Sequence, residues 1–422
     1  MELKPFQQKV INDLEEFLDY LETYKLADKA FNQYLRDRYG ENCFNNGFRP
    51  YQNNIPNAAN VCIKVPTAGG KTIIAINALK NIFDRFADDK PKTVIWLVPW
   101  SNLLEQTKTA FNNIEHPYHQ KLNALFNHRI GIYTKEELLQ GADFNPVTVK
   151  EQLSILILNY SSLRRSNTLK EDLKIYQENG YLASFKEMYT DKSPIDPDFD
   201  ETALINVIRN LNPVVIVDES HNAESELSVD MLNNLNPSFV LDLTATPREN
   251  SNIISYTSAI ALKKENMVKL PVIVYNNNSK KEVIANALEL QRKLEDVAAK
   301  ESNGNKYIRP IVLFQAQPRT NDDSTTFEKL KEHLIELRIP EDQIKIKTAN
   351  INELKYVDLS SPDCSVRYII TINALKEGWD CPFAYILASL ADKSSVIDVT
   401  QILGRILRQP EVRKHKHWQL NL

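Results

Sequence analysis

The chain has 422 residues, 42% of them hydrophobic and 25% charged, and a formal net charge of −4. That balance describes an ordinary globular protein long enough for two domains, and it excludes a generally basic nucleic-acid coat, so any such partner has to be gripped by a local groove. Cys43, Cys62, Cys364 and Cys381 form no Cys-x-x-Cys pair, no basic-then-apolar leader opens the chain, and no run reaches the ~18 apolar residues of a membrane span. The expectation is a reduced, cytoplasmic protein with no membrane segment and no cysteine metal site.

From Phe6 to about Leu26, Val10, Leu14, Phe17, Leu18 and Leu21 recur at the spacing of an amphipathic helix. Phe6 and Gln7 at its start offer a ring and an amide that suit reading an adenine, or serve an ordinary helix start. Residues 40 to 60 read as a loop. The apolar run Val61-Cys-Ile-Lys-Val then stops at Pro66 and turns through Gly69 and Gly70 into Lys71 and Thr72, which open a helix. Glycines there let backbone N–H groups crowd a phosphate at a helix N-terminus, and Lys71 and Thr72 can reach a terminal phosphate and its Mg²⁺. Val65 stands where the full phosphate-loop pattern has its first glycine, so this stretch alone also fits a surface helix.

A helix from Ile73 to about Phe86 leads to a buried strand, Thr93-Val-Ile-Trp-Leu-Val, and a helix opening at Trp100. Leu153 to Asn159 is another strand, followed by Tyr160-Ser-Ser-Leu-Arg164-Arg165, whose hydroxyls and arginines suit either phosphate contacts or a capped turn. Residues 166 to 212 read as a polar, helical insertion without chemistry. Val214-Val-Ile-Val then delivers Asp218 and Glu219 at a strand's C-terminal end, where open α/β sheets bind ligands. Asp218 is placed to hold Mg²⁺ beside Thr72, and Glu219 to orient or deprotonate an attacking water. Phe239 to Thr244 ends likewise in hydroxyls, so strands alternate with helices and predict a parallel sheet with right-handed crossovers.

The pattern changes near residue 265, giving expected domains of 1–265 and 266–422. The second contains a short strand at Pro271-Val-Ile-Val-Tyr275 and a helix carrying Val283, Ala287, Leu290, Leu294 and Val297. Strands follow at Pro310–Phe314, Ile344–Lys347, Val366–Thr371 and Ala384–Leu387.

Gln401-Ile-Leu-Gly404-Arg405-Ile-Leu-Arg408 resembles the motif that closes the second motor domain of superfamily 2 helicases. Phe6–Gln7 then resembles the Q motif, Thr67–Thr72 motif I, Trp96–Thr107 motif Ia and Asp218-Glu-Ser-His221 a DEAD/DEAH box. Thr244-Ala-Thr246 resembles motif III, and Thr371 to Asp380 motif V. The Asp-Glu-Ser-His box, Glu377-Gly-Trp-Asp-Cys-Pro382 and the Gly404–Pro410 ending look most like the Res subunit of type III restriction enzymes.

This resemblance implies an α/β fold of two tandem RecA-like domains, parallel sheets flanked by helices, closing on ATP and Mg²⁺. Lys71, Asp218, Glu219, Gln401, Arg405 and Arg408 become the catalytic set. Phe6, Gln7, Thr67, Gly69, Gly70, Lys71, Thr72, Gly378 and Asp380 hold nucleotide, and Thr72 and Asp218 hold the metal. Arg405 and Arg408, three apart on one helix face, would act as arginine fingers. The implied activity is that of a DNA-dependent ATPase motor on duplex DNA, with a methyltransferase partner. A stand-alone helicase on DNA or RNA, and a nucleic-acid-binding ATP switch, remain the alternatives. Ala68 stands where the family's motif I usually has glycine, and a positive φ there would be strained. No Pro-Asp and Glu-x-Lys nuclease constellation follows the motor, so cleavage by this chain is not expected. The basic tail from Glu411 to Leu422 reads as the frayed end of a truncated second domain.

Overall fold

The computed structural model describes all residues except 1, 88–89, 164–171, 219–225, 278, 302–307, 318–324, 349, 360, 362, 373–380 and 391–405. The chain divides into two compact units, one of residues to Pro66 and Gly70–Thr257, the other of Thr67–Gly69 and Ser258–Leu422.

The first unit runs α1 (Pro5–Tyr24), α2 (Ala27–Tyr39), β1 (Ala59–Lys64), α3 (Lys71–Phe83), β2 (Lys92–Val98), α4 (Ser101–Asn112), α5 (Pro117–Leu125) and β3 (Ile130–Thr134). It continues through α6 (Lys135–Leu139), α7 (Pro146–Glu151), β4 (Leu153–Asn159), α8 (Leu204–Leu211), β5 (Val214–Asp218), α9 (Glu226–Asn234), β6 (Phe239–Thr244) and β7 (Ile253–Tyr256). Among the described residues these strands form one parallel sheet in the order β3-β4-β2-β5-β6-β1-β7.

Alternation along β2 shows why both faces must be covered. Val94, Trp96 and Val98 pack into the core that includes residues of α1 to α5, whereas Ile95 and Leu97 pack into the core that includes residues of α6 to α9. A strand apolar on both sides is stable only between two helical layers, each buried Val, Leu or Ile contributing roughly 1.5–3 kcal/mol. Pro5 starts α1, where its missing N–H costs nothing, and the Lys4 N–H donates to Gln7 Oε1 (2.9 Å). Asp13, nearly buried on α1, accepts from Ser255 Oγ (2.5 Å), Lys9 Nζ (2.7 Å) and the Arg38 guanidinium, which ties α1 to α2 and β7.

The second unit contains α10 (Ala259–Lys264), α11 (Lys280–Glu301), β8 (Ile311–Gln315), α12 (Phe327–Glu336), β9 (Ile344–Lys347), β10 (Tyr368–Thr371) and β11 (Ala384–Ser389). Its described strands also pair in parallel, in the order β11-β8-β10-β9. The α/β class with RecA-like parallel sheets flanked by helices is therefore present. No helix among the described residues is long and apolar enough to cross a membrane.

Three expectations fail. Pro271–Tyr275 forms no strand, and Val274 is 83% exposed, because among the described residues the run has no neighbouring strand to pair with. The described part of residues 166–212 is mostly turns and 3₁₀ segments at Asp172–Tyr176 and Gly180–Met188, with α-helix only in α8, whose apolar face lies in the core. The tail is docked. Glu301 accepts the backbone N–H groups of Lys416 (3.1 Å) and His417 (3.0 Å) and pairs with His415, and Lys263 Nζ donates to the Asn421 carbonyl (2.6 Å).

Candidate nucleotide site

The candidate phosphate loop follows β1. Gly70 takes the left-handed conformation (φ 75°, ψ 45°) as the N-cap of α3, which turns the chain so that the first amides of the helix point out of its end. Lys71 and Thr72 are half-buried in that first turn, Thr67 is half-buried and Gly69 is buried. Gln7 is brought to the same turn by α1: a Cβ placed on Gly70 would lie 2.6 Å from Gln7 Nε2, so only glycine leaves the amide its place. Phe6 is 8% exposed, its ring held in the interior. Ala68 has φ 69°, the condition under which an alanine is strained.

Strand order places the acid. β6 lies between β1 and β5, with Lys64 level with Thr244 and Asp218 level with Leu243. Asp218 therefore ends its strand two interstrand spacings, roughly 10 Å, from the strand that feeds the phosphate loop. One of its carboxylate oxygens is shielded from solvent. Thr244 accepts the Val65 N–H through its carbonyl (3.0 Å) and the Thr246 N–H through its hydroxyl (3.2 Å). The Thr246 hydroxyl is itself buried without a hydrogen-bond partner. Among the described residues nothing pairs with it, and because a buried hydroxyl is costly to leave unpaired, a polar group reaching this end of the sheet would be favoured. Sequence reasoning placed Thr246 in a motif but gave it no role.

Other hydroxyls are already used. Asn159 Oδ1 accepts from Ser161 Oγ (3.0 Å), Ser162 Oγ (2.5 Å) and the Ser162 N–H (2.9 Å), which favours the capped-turn reading of that stretch. Arg164 and Arg165 lie outside the described residues, as do Glu219, Gly378, Asp380, Gln401 and Arg405. Arg408 is described and exposed, and its backbone forms an antiparallel bridge with Val268. Its backbone is paired with Val268 rather than helical at this residue, and Arg405, with which the sequence predicts a shared helix face, lies outside the described residues.

That bridge has a feature the sequence did not signal. Lys269 is 2% exposed; its N–H donates to the Leu407 carbonyl (2.7 Å) and its Nζ to the carbonyls of Pro382 (2.9 Å) and Ala384 (2.5 Å). Its ammonium also sits over the Tyr385 ring, 4.1 Å from the centroid. Burial pushes its pKa down to about 7, opposed by the nearby Cys381. Lys269 thus joins the residues just after the Gly378–Asp380 segment to those just after Arg405.

A parallel sheet with a phosphate loop, a central-strand threonine pair and a carboxylate gathered at its strand ends is the plan of superfamily 2 helicase-like ATPases. A family model for the type III restriction enzyme, res subunit, matches residues 1–249, more than half of the chain, and the chain belongs to that family. No curated protein matches it. Among solved structures, the ATP-dependent type ISP restriction-modification enzyme LlaBIII bound to DNA is similar over 97% of this chain and 27% of its own, at 14% identity and a TM-score of 0.53. DEAD-box helicase Mss116 bound to ssRNA and UDP-BeF is similar over 83% of this chain and 64% of its own, at 14% identity and a TM-score of 0.43. The chain thus spans about a quarter of the restriction-modification enzyme and under two thirds of the helicase.

Proposed function

We propose that this chain is a motor of the restriction type, hydrolysing ATP with Mg²⁺ on duplex DNA and working with a methyltransferase subunit. The observation that carries the reading is the gathering of Gln7, Gly70, Lys71, Thr72, Thr246 and Asp218 at the C-terminal ends of β1, β6 and β5. Residues 1–265 would be the ATP-binding domain and 266–422 the C-terminal RecA-like domain.

The residues present fit ATP and Mg²⁺: the Gly70 turn leaves no room for a side chain beside Gln7, and among the described residues the Thr246 hydroxyl has no partner. When bound, ATP supplies the phosphoryl group and Mg²⁺ the charge that neutralises it. Lys71 and the first amides of α3 would hold phosphate, and Thr72 and Asp218 the metal. Gln7, packed on Gly70, fixes the turn that aims those amides. Thr67 and Gly69 complete the loop, and Phe6 supports Gln7 from the interior. Glu219, one residue past the strand end, orients or deprotonates water. Gln401, Arg405 and Arg408 supply the second unit's polar and positive groups, with Gly378 and Asp380 lining the nucleotide.

ATP turnover measured with duplex DNA, single-stranded DNA and RNA tests this reading. Duplex DNA is expected to stimulate most. Stimulation by RNA alone would replace the restriction-type motor with a stand-alone helicase, and binding of all three polymers without stimulated turnover would leave only an ATP switch.

A further inference from the structure

At the end of the first sheet opposite the phosphate loop, where β2 and β4 begin, lies a cavity of about 560 Å³. Lys92 opens β2, in register with Leu153 at the start of β4, and Arg129 immediately precedes β3, its carbonyl accepting the Leu153 N–H (2.9 Å). Lys150 comes from the last turn of α7 and Lys90 from the segment before β2. Lys80 of α3, paired with Asp84, also lines this concavity, so five cations face one lining carboxylate, Glu151, and four of the five are Lys90, Lys92, Arg129 and Lys150.

What those four pair with is the informative part. Among the described residues no ion pair engages Lys92, Arg129 or Lys150. Among the described residues the partners of Lys90 are neutral, Asn212 Oδ1 at 2.8 Å and the Phe86 ring at 4.4 Å from its centroid, and burial lowers its pKa. Elsewhere in the unit cations such as Arg85 and Lys108 are matched, by Asp19 and Glu137. Like charges held around a concave, partly desolvated space repel one another, and a multivalent anion relieves that repulsion at every contact.

The shape selects the kind of anion. A nucleic-acid backbone wants cations spaced along a track, whereas here they surround a pocket walled by Leu125 and Phe126, of the size that takes a small molecule. We propose that this cavity binds a small ligand carrying several phosphate groups. It is separate from the nucleotide site: β2 is 7 residues long, so its two ends lie about 20 Å apart.

Titration calorimetry of the Lys71→Ala protein with inorganic tripolyphosphate, at low and moderate salt, tests the proposal with the phosphate loop disabled. We expect one saturable, salt-sensitive site, weakened at least about 10-fold in Lys92→Gln/Arg129→Gln/Lys150→Gln by the loss of charge-assisted contacts. Lys150→Glu alone, an exposed helix-end change, gives the same direction of effect if the triple variant does not fold. Absence of saturable binding, or binding that neither variant reduces, overturns the proposal. So does short duplex DNA whose affinity falls in these variants while tripolyphosphate does not bind, since the cavity would then belong to a nucleic-acid track. Neither result bears on the ATPase reading, whose loop is silent throughout.

Discussion

The two sheets solve the burial of charge in opposite ways. In the first, the runs Val94–Val98 of β2 and Val214–Val217 of β5 are apolar and buried, and Asp218 waits at its strand's end. In the second, Lys269 and Arg309 are each 2% exposed, and both donate to backbone carbonyls: Lys269 to Pro382 and Ala384, Arg309 to Leu359 and Ser361. A charge at a strand end stays in reach of ligand and water, so it can serve chemistry at little cost to the fold. A charge inside ties loops together, at the cost of desolvation. The first arrangement separates function from stability, and the second joins them.

The largest expected effect breaks the first arrangement at its chemistry. Lys71→Ala and Glu219→Gln should each cut DNA-stimulated turnover by at least roughly 10²-fold, with melting temperature unchanged. They should differ in binding: the lysine variant loses nucleotide affinity, and the carboxylate variant retains unhydrolysed ATP. Near-normal turnover in Glu219→Gln would remove it from the catalytic set.

The interior of the same sheet should respond in the reverse manner. Trp96 is 1% exposed and meets Phe111 edge-on with ring centroids 5.0 Å apart. Trp96→Ala should cost about 3–5 kcal/mol in denaturant unfolding. Trp96→Phe should cost far less, because the buried Nε1–H has no acceptor to lose. An equal loss in both variants would mean that the indole's polar edge matters to the fold.

Lys269 carries the comparison into pH. Its folded pKa, about 7, lies below its ordinary value of 10.5, so between those limits the unfolded chain binds the proton that the folded chain has given up. Stability should therefore rise with pH from about 7 towards 10, by up to ~1.4 kcal/mol per unit, and be insensitive to this group below 7. In Lys269→Met that gain is absent. The measurement is the difference in unfolding free energy between wild type and variant across this range, and parallel curves would show that Lys269 is not the titrating group.

The split between strand ends and interiors also decides what could be read from the chain alone. Runs such as Val94–Val98 and Val214–Val217 announce themselves because both faces must be apolar, and the residues that follow them are then placed by topology. β3 and β7 were missed: each is short and lies at a sheet edge, with Ile130–Ile132 only half-buried in β3 and Tyr256 exposed in β7, so neither carries the buried-strand signature. Pro271–Tyr275 shows the converse, a β-prone run without a neighbour. The tail's docking depends on Glu301, more than a hundred residues away, and the burial of Lys269 on carbonyls that any sequence would carry. The turn between β1 and α3 was legible because its glycines and the helix start at Lys71 act locally, whereas the closeness of Gln7 to Gly70 came only from placing α1.

The smallest effect falls where the first arrangement is least comfortable. Ala68 holds φ 69° at a position where relatives of this motif usually have glycine. An L-residue in that region is strained by roughly 1–2 kcal/mol, and glycine gives part of this back through its greater freedom in the unfolded chain, leaving a net gain of about 1 kcal/mol for Ala68→Gly. Two readouts separate what the strain does. If the loop holds this shape with or without nucleotide, unfolding free energy should rise by that amount while nucleotide affinity stays constant. If the alanine pulls the free loop away from its binding shape, nucleotide should bind up to about 5-fold more tightly, the same energy expressed as a ratio, with stability nearly unchanged. Either result keeps φ 69° as a strained conformation that glycine relieves. A loss of both stability and affinity on Ala68→Gly would show instead that the methyl group packs usefully, and that the turn tolerates alanine without strain.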